Sequence, residues 1–440
     1  MELTSFKSIH KIALPAIIAG IAEPILSSTD AAIVGNMPIH ATEALAAVGV
    51  VGSFLSMLIW ILGQTRSVIS SIISQYIGAG KLNEVDTLPM QAILINVSLS
   101  ILVLGGTYFF AGDIFKLLKA DGQILEFSLS YYKIRVWGFP FTLAVFAVFG
   151  IFRGLQNTFW PMIVSAVGAI LNIGLDFLFV YGVKGFVPAM HIEGAALASL
   201  ISQIIMAIMA FVLLVSKTDV NLRIGKAWHP KIPKLIGMSG NLFLRALSLN
   251  VALLMAVRSA TNIGPEYIAA HAIAINIWLF TAFFIDGYAS AGNIYGGRLY
   301  GAKDFDQLKN LVTKVALYGV GVAFILMLLG WLFYEQLGLL FTQESKVLSV
   351  FYAMFFIVIM VQPLNAIAFV LDGVFKGLGE MKYLRNLLFV STFIGFLPTL
   401  FLTQYFHLKL IGIWIAIGVW LLFRCLGMIW KFKSNYLFTK

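Results

Sequence analysis

Runs of about twenty consecutive apolar residues recur along the whole 440-residue chain, and no other feature limits its fold so strongly. A helix needs about 20 residues to cross the hydrocarbon of a bilayer, and lipid offers no partner to an unpaired backbone N–H or C=O. Each run must therefore be a helix, because the strands of a closed barrel alternate over only about ten residues. Composition agrees: 60% of residues are hydrophobic and 11% are charged, a balance foreign to soluble domains. The expected fold is an all-α polytopic membrane protein.

Twelve transmembrane helices are expected, over 12–37, 43–77, 87–112, 129–154, 159–183, 192–216, 234–258, 266–299, 308–334, 346–375, 383–404 and 410–430. The longer ones imply tilt or extension beyond the bilayer. The first run continues past Pro15 and Pro24 to Met37, too long for the core of a signal peptide, and is read as a retained span. The longest polar stretch, 217–233, divides the spans six and six, into an N-terminal lobe (1–216) and a C-terminal lobe (234–440) joined by a cytoplasmic linker.

Lysine and arginine sort by side. Lys217, Arg223, Lys226, Lys231 and Lys234 lie between spans six and seven, Lys303 follows span eight, Lys376 and Lys382 fall between ten and eleven, and Lys431, Lys433 and Lys440 close the chain. Lys116, Lys119, Lys184 and Lys409 fall on the other side, so the bias is partial. It places both termini in the cytoplasm. The formal charge of +10 is explained by this topology, since the basic residues stand singly between spans and form no nucleic-acid-sized patch. Cys425 is the sole cysteine, which excludes a disulfide framework or a cysteine-based metal cluster.

The two halves resemble each other. Phe152-Arg153-Gly154-Leu155 ends span four and Phe375-Lys376-Gly377-Leu378 ends span ten, 223 residues later. Gly78-Ala79-Gly80-Lys81 after span two matches Gly301-Ala302-Lys303 after span eight at the same 223-residue offset. A repeat of six spans keeps both copies in one orientation and places substrate sites between the halves. Gly-Ala-Gly-Lys reads as a helix C-cap with a lysine at the membrane surface. A nucleotide phosphate loop would need a longer glycine-rich pattern ending in Lys-Ser or Lys-Thr, which is absent. An ion gradient is then the expected energy source.

Ionisable groups inside spans carry the chemical information, because a charge at the bilayer centre costs at least ~2.5 kcal/mol. Six stand out: Glu23, Asp30, Asp176, Arg245, Asp286 and Asp372. Glu23 lies two helical turns before Asp30 on nearly the same face, either in function or reaching water, with Pro24 beside it to bend the helix. Asn172 and Asp176, four apart in span five, put an amide and a carboxylate on one face, a plausible pair of oxygen ligands for a cation. A hard cation such as Na⁺ needs several oxygens, whereas a proton needs one carboxylate, and Asp30 with Asp176 would serve either.

These residues resemble the multidrug and toxic compound extrusion (MATE) family, in its DinF-type branch. The resemblance rests on Leu14-Pro15 and Thr29-Asp30 through Val34-Gly35 in span one, and on Leu171-Asn172 through Leu175-Asp176 in span five. It continues at Gly194 to Ser199 in span six, Asp286-Gly287-Tyr288-Ala289 and Leu371-Asp372-Gly373. It implies a V-shaped fold of two six-helix lobes that exports small organic, often cationic compounds by alternating access, in exchange for H⁺ or Na⁺. It further implies a coupling site of Asp30, Asp176 and Asn172, with Ser199 standing where the family often has Thr. If the ion is Na⁺, Asp30, Asn172 and Asp176 would be its ligands. Pro15 would be the family proline at which the first helix bends, with Pro24 a second candidate hinge. Another branch uses a glutamate in span seven, where this chain has Arg245. Arg245 is read as neutralising Asp286 or Asp372, and Glu23, Arg245, Asp286 and Asp372 together are read as substrate contacts or as a second-lobe polar network.

A bacterial inner membrane, drug-like substrates, a monomeric state, no resident cofactor and no nucleic-acid partner complete the expectation. The alternative is a lipid or lipid-linked oligosaccharide flippase of related architecture, which usually needs a basic central cavity. An embedded enzyme is disfavoured, since of the six histidines only His271 sits inside a span, with no His or Cys partner nearby in sequence.

Overall fold

The computed structural model describes residues 3–183, 185–220, 222–225 and 227–437, excluding the side chains of Glu23, Ser27 and Leu437. The first-half helices are α1 (Phe6–Gly35), α2 (Ala41–Leu62), α3 (Thr65–Gly78), α4 (Leu88–Phe109), α5 (Ala111–Leu117), α6 (Gly122–Arg135), α7 (Phe139–Gly154), α8 (Phe159–Tyr181) and α9 (His191–Lys217). The second half has α10 (Ile232–Ile263), α11 (Pro265–Gly301), α12 (Phe305–Leu332), α13 (Tyr334–Phe341), α14 (Ser345–Met360), α15 (Gln362–Leu378), α16 (Met381–Val390), α17 (Leu397–Tyr405) and α18 (Lys409–Phe432). Eleven helical segments among the described residues are long and apolar enough to cross a membrane, and twelve if α14 and α15, which pass the same test together and are bent by 47° at their junction, count as one broken span. Side chains such as Leu102, Phe109, Leu254 and Trp331 are turned outward. An apolar exterior of this kind suits lipid.

Several expected spans are broken. The span expected at 129–154 begins at Gly122 and is interrupted by a 3₁₀ turn at Val136–Gly138, and that at 346–375 bends at Val361. Pro140 and Pro363 occupy the first turn of the helix after each break. A proline there forfeits no helical hydrogen bond and prevents the preceding helix from running on. The two prolines are themselves 223 residues apart. Farther along, a π-helical turn at Ser391–Phe396 separates α16 from α17, again ahead of a proline, Pro398.

The repeat is structural as well as sequential. Helices α5, α6 and α7 start at 111, 122 and 139, and α13, α14 and α15 start at 334, 345 and 362, each 223 later. Glycines at matching positions press on matching backbone. A Cβ on Gly150 would lie 2.8 Å from Arg66 O, and one on Gly373 would lie 2.1 Å from Ala289 O. A Cβ on Gly154 would lie 3.2 Å from Ser70 O, and one on its equivalent Gly377 would lie 2.4 Å from Asn293 O. Small residues let helices approach this nearly, which is how helices associate where lipid removes the hydrophobic drive.

The described chain forms two compact units. One holds Met1–Ile17, Ser74–Gly80 and Gly237–Lys440; the other holds Ile18–Ile73 and Lys81–Ile236. The units meet along the chain at 236/237, and two first-half segments, Met1–Ile17 and Ser74–Gly80, group with the second half. A reciprocal crossing explains the second segment. A Cβ on Gly78 would lie 1.8 Å from Arg298 O, and one on Gly301 would lie 2.0 Å from Gln75 O, so α3 and α11 touch backbone to backbone. Gly-Ala-Gly-Lys is the helix end expected of it: α3 stops at Gly78, followed by Gly80, whose φ of 70° is left-handed, as is that of its repeat equivalent Lys303 at 58°.

Candidate functional site

In the unit formed by 18–73 and 81–236, three helices bring together the side chains expected to couple ions. On α8, Asn172 Nδ2 donates to Asp176 Oδ2 at 3.1 Å, one helical turn away. Gly194 allows α9 to sit against α8, since a Cβ there would lie 2.6 Å from the Phe179 carbonyl. That contact places Ser199, whose hydroxyl donates to Asp30 Oδ2 at 3.4 Å. Tyr181 at the end of α8 donates to the Ile33 carbonyl at 2.9 Å and so fixes the last turns of α1.

All four side chains are out of solvent, Asp176 completely. The carboxyl groups of Asp30 and Asp176 interact directly. The Oδ1 atom of each has no hydrogen-bond partner. Two charged carboxylates side by side in a desolvated site repel strongly, and a proton between them or a cation bridging them relieves the repulsion. Among the described residues no three His, Cys, Asp or Glu side chains cluster, so the oxygen donors here are two carboxylates, an amide and a hydroxyl. That set suits a proton or a hard cation and not a soft metal.

Sequence reasoning missed Tyr131 and Arg135. Both lie on α6: the Arg135 guanidinium is within electrostatic reach of Asp30 and Asp176, and the buried, neutral phenol of Tyr131 lies close to the same pair. Arg135 sits just before the 3₁₀ break, an ionisable residue in an expected span and so detectable by the rule that found the aspartates. Glu23's side chain lies outside the described residues. Helix α1 runs unbroken through Pro15 and Pro24, and passes from one unit to the other at Ile17/Ile18, two residues after Pro15.

A second polar cluster lies in the other unit. Arg245 Nη2 reaches Asp372 Oδ1 at 2.5 Å, and Lys376 Nζ, one turn on along α15, reaches Oδ2 at 2.9 Å. Arg245 therefore neutralises Asp372 and not Asp286. Lys376, expected in a loop, is inside α15, because the helix continues past the last apolar residue of the run. The Asp372-to-Lys376 spacing of four was the available signal. Arg424 of α18 is also buried and was overlooked, although it stands inside an expected span. Breaking a buried pair by removing one partner leaves an uncompensated charge, so Arg245→Ala is expected to destabilise by about 3–5 kcal/mol. A thermal melt of the purified variant in detergent checks this.

A model of the MatE family matches residues 15–178 and 242–401. The chain is 27% identical to Protein DETOXIFICATION 44, chloroplastic, of Arabidopsis thaliana, over 97% of this chain and 82% of that one. It is 26% identical to DNA damage-inducible protein F of Escherichia coli, over 97% and 92% of the two chains. With the probable multidrug resistance protein NorM of Thermotoga maritima it shares 24% identity over 95% and 90%. In fold it matches the Vibrio cholerae MATE transporter VcmN in its bent form with a TM-score of 0.89, at 20% identity over 99% and 98% of the chains.

Proposed function

Since the chain belongs to the MatE family, whose model covers most of its length, we propose that it is a secondary multidrug efflux transporter exchanging small organic compounds for H⁺ or Na⁺. The observation that carries the coupling is the buried Asp30–Asp176 pair, with one oxygen of each carboxyl lacking a partner beside Asn172 and Ser199. The names of several relatives, the NorM multidrug resistance proteins among them, support drug export over lipid flipping.

In this reading a proton or Na⁺ arriving from outside lowers the repulsion between Asp30 and Asp176 and favours one arrangement of α1; substrate arriving from the cytoplasm favours the other. Coupling requires only that the two ligands prefer different states, since equal affinity for both would shift nothing. Pro15 is the better hinge candidate, because the carbonyl one turn before it loses its helical donor close to where α1 changes unit. The basic segments at 217–234 and 431–440 support cytoplasmic termini in a bacterial inner membrane.

Inverted membrane vesicles loaded with a proton gradient alone, and then with a Na⁺ gradient alone, test the reading with ethidium as the probe. Uptake is expected under one of the two and to cease when that gradient is collapsed. Equal uptake with and without gradients would leave no role for the carboxylate pair.

A further inference from the structure

The second polar cluster holds more positive than negative charge. Arg245 and Lys376 occupy the two oxygens of Asp372, and Arg424, from α18, lies within electrostatic reach of both Arg245 and Asp372. Asp286 is the other acid nearby; it acts on Lys376 and does not figure among the charges acting on Arg424. Three cations thus face two carboxylates. Among the described residues no carboxylate ion-pairs with Arg424.

Arg424 is 3% exposed, and its Nη1 has no hydrogen-bond partner. Its guanidinium lies 4.9 Å from the centre of the Trp420 ring and 5.5 Å from that of Phe369. The ring faces offset part of the cost of a buried cation but accept no ordinary hydrogen bond from its edge. What is missing is an anionic acceptor. A guanidinium edge favours the planar, two-oxygen geometry of a carboxylate, and aromatic walls favour a flat apolar body attached to it.

We propose that Arg424, backed by Arg245 and Lys376, is a subsite for the carboxylate of amphipathic aromatic acids or zwitterions, separate from the carboxylate pair that couples the ion. This deepens the export reading and rests on it for the ligand's being cargo. Asp372 holds the two flanking cations in place, and the third supplies the open donor.

Rhodamine B and its ethyl ester test the proposal, because they differ only in whether a free carboxylate is present. Binding to the full-length protein in detergent is measured by fluorescence polarisation, with no gradient, so its result does not depend on whether transport is coupled. The acid is expected to bind roughly tenfold more tightly than the ester, the scale of one charge-assisted hydrogen bond. Arg424→Gln should bring the acid down to the ester's affinity without moving the ester, and Arg424→Lys should retain part of the preference. Benzoate should displace the acid where chloride at equal ionic strength does not. Equal affinity of the wild-type protein for acid and ester overturns the proposal without recourse to any variant. So does displacement by chloride and benzoate alike, which would make this a site for simple anions. If ethidium fails to move under any gradient while the acid keeps its preference, the export reading falls and the subsite stands.

Discussion

Asp30→Asn abolishes gradient-driven uptake of ethidium, and Asp176→Asn reduces it nearly as far. Each variant leaves the site one carboxylate and one amide of almost the same shape, so the change is to charge and protonation and not to packing. With a single acid remaining, arrival of the ion no longer relieves repulsion between like charges, and the two states of the transporter are no longer separated by it. Folding should be untouched. The melting temperature is expected to hold or rise, because one of two neighbouring buried carboxylates has been neutralised. Ethidium uptake at the wild-type rate in Asp30→Asn would remove this residue from the coupling step. A drop in melting temperature alongside lost uptake would point to a structural role.

Gly301→Val prevents accumulation of folded protein. An ideal Cβ at this position would lie 2.0 Å from the Gln75 carbonyl oxygen and 2.7 Å from its carbon, and both are backbone atoms with no rotamer to yield. Overpacking a core costs about 1–3 kcal/mol when side chains can adjust and more when they cannot. The expected result is an aggregated peak in fluorescence-detected size exclusion. Gly174→Ala is the matched control: nothing lies within 4 Å of a Cβ there, and mid-helix alanine should gain up to ~1 kcal/mol. A monodisperse Gly301→Val with an unchanged melting temperature would mean that α3 and α11 separate readily at this point.

The spans were legible because lipid forces apolar runs to be helices, and length alone then fixes their number. Their breaks were less so. Pro140 and Pro363 stand in apolar stretches that a hydropathy average passes over, although proline chemistry marks both as helix starts. Asn172 with Asp176 could be paired from spacing along one helix, whereas nothing local joins either to Asp30 or Ser199, which come from other helices. Lys376 was assigned to a loop because an apolar run ends before its helix does. The grouping of Ser74–Gly80 with the second half has no local signature beyond a glycine in a lysine-bearing helix end, since the partner at Arg298 lies more than two hundred residues away.

That distance bears on how the chain is made. When residues 1–216 have left the ribosome, the segments Met1–Ile17 and Ser74–Gly80 have been synthesised and the helix carrying Gly301 has not. Many multidomain chains complete their N-terminal domain while the rest is still being synthesised. Here the nascent first half holds ends with no resting place, so a ribosome stalled in the linker would display an unfinished surface to membrane chaperones. Two fragments cut at the linker and produced separately would each be recognised as incomplete; produced together, they would have to find each other before either escaped degradation.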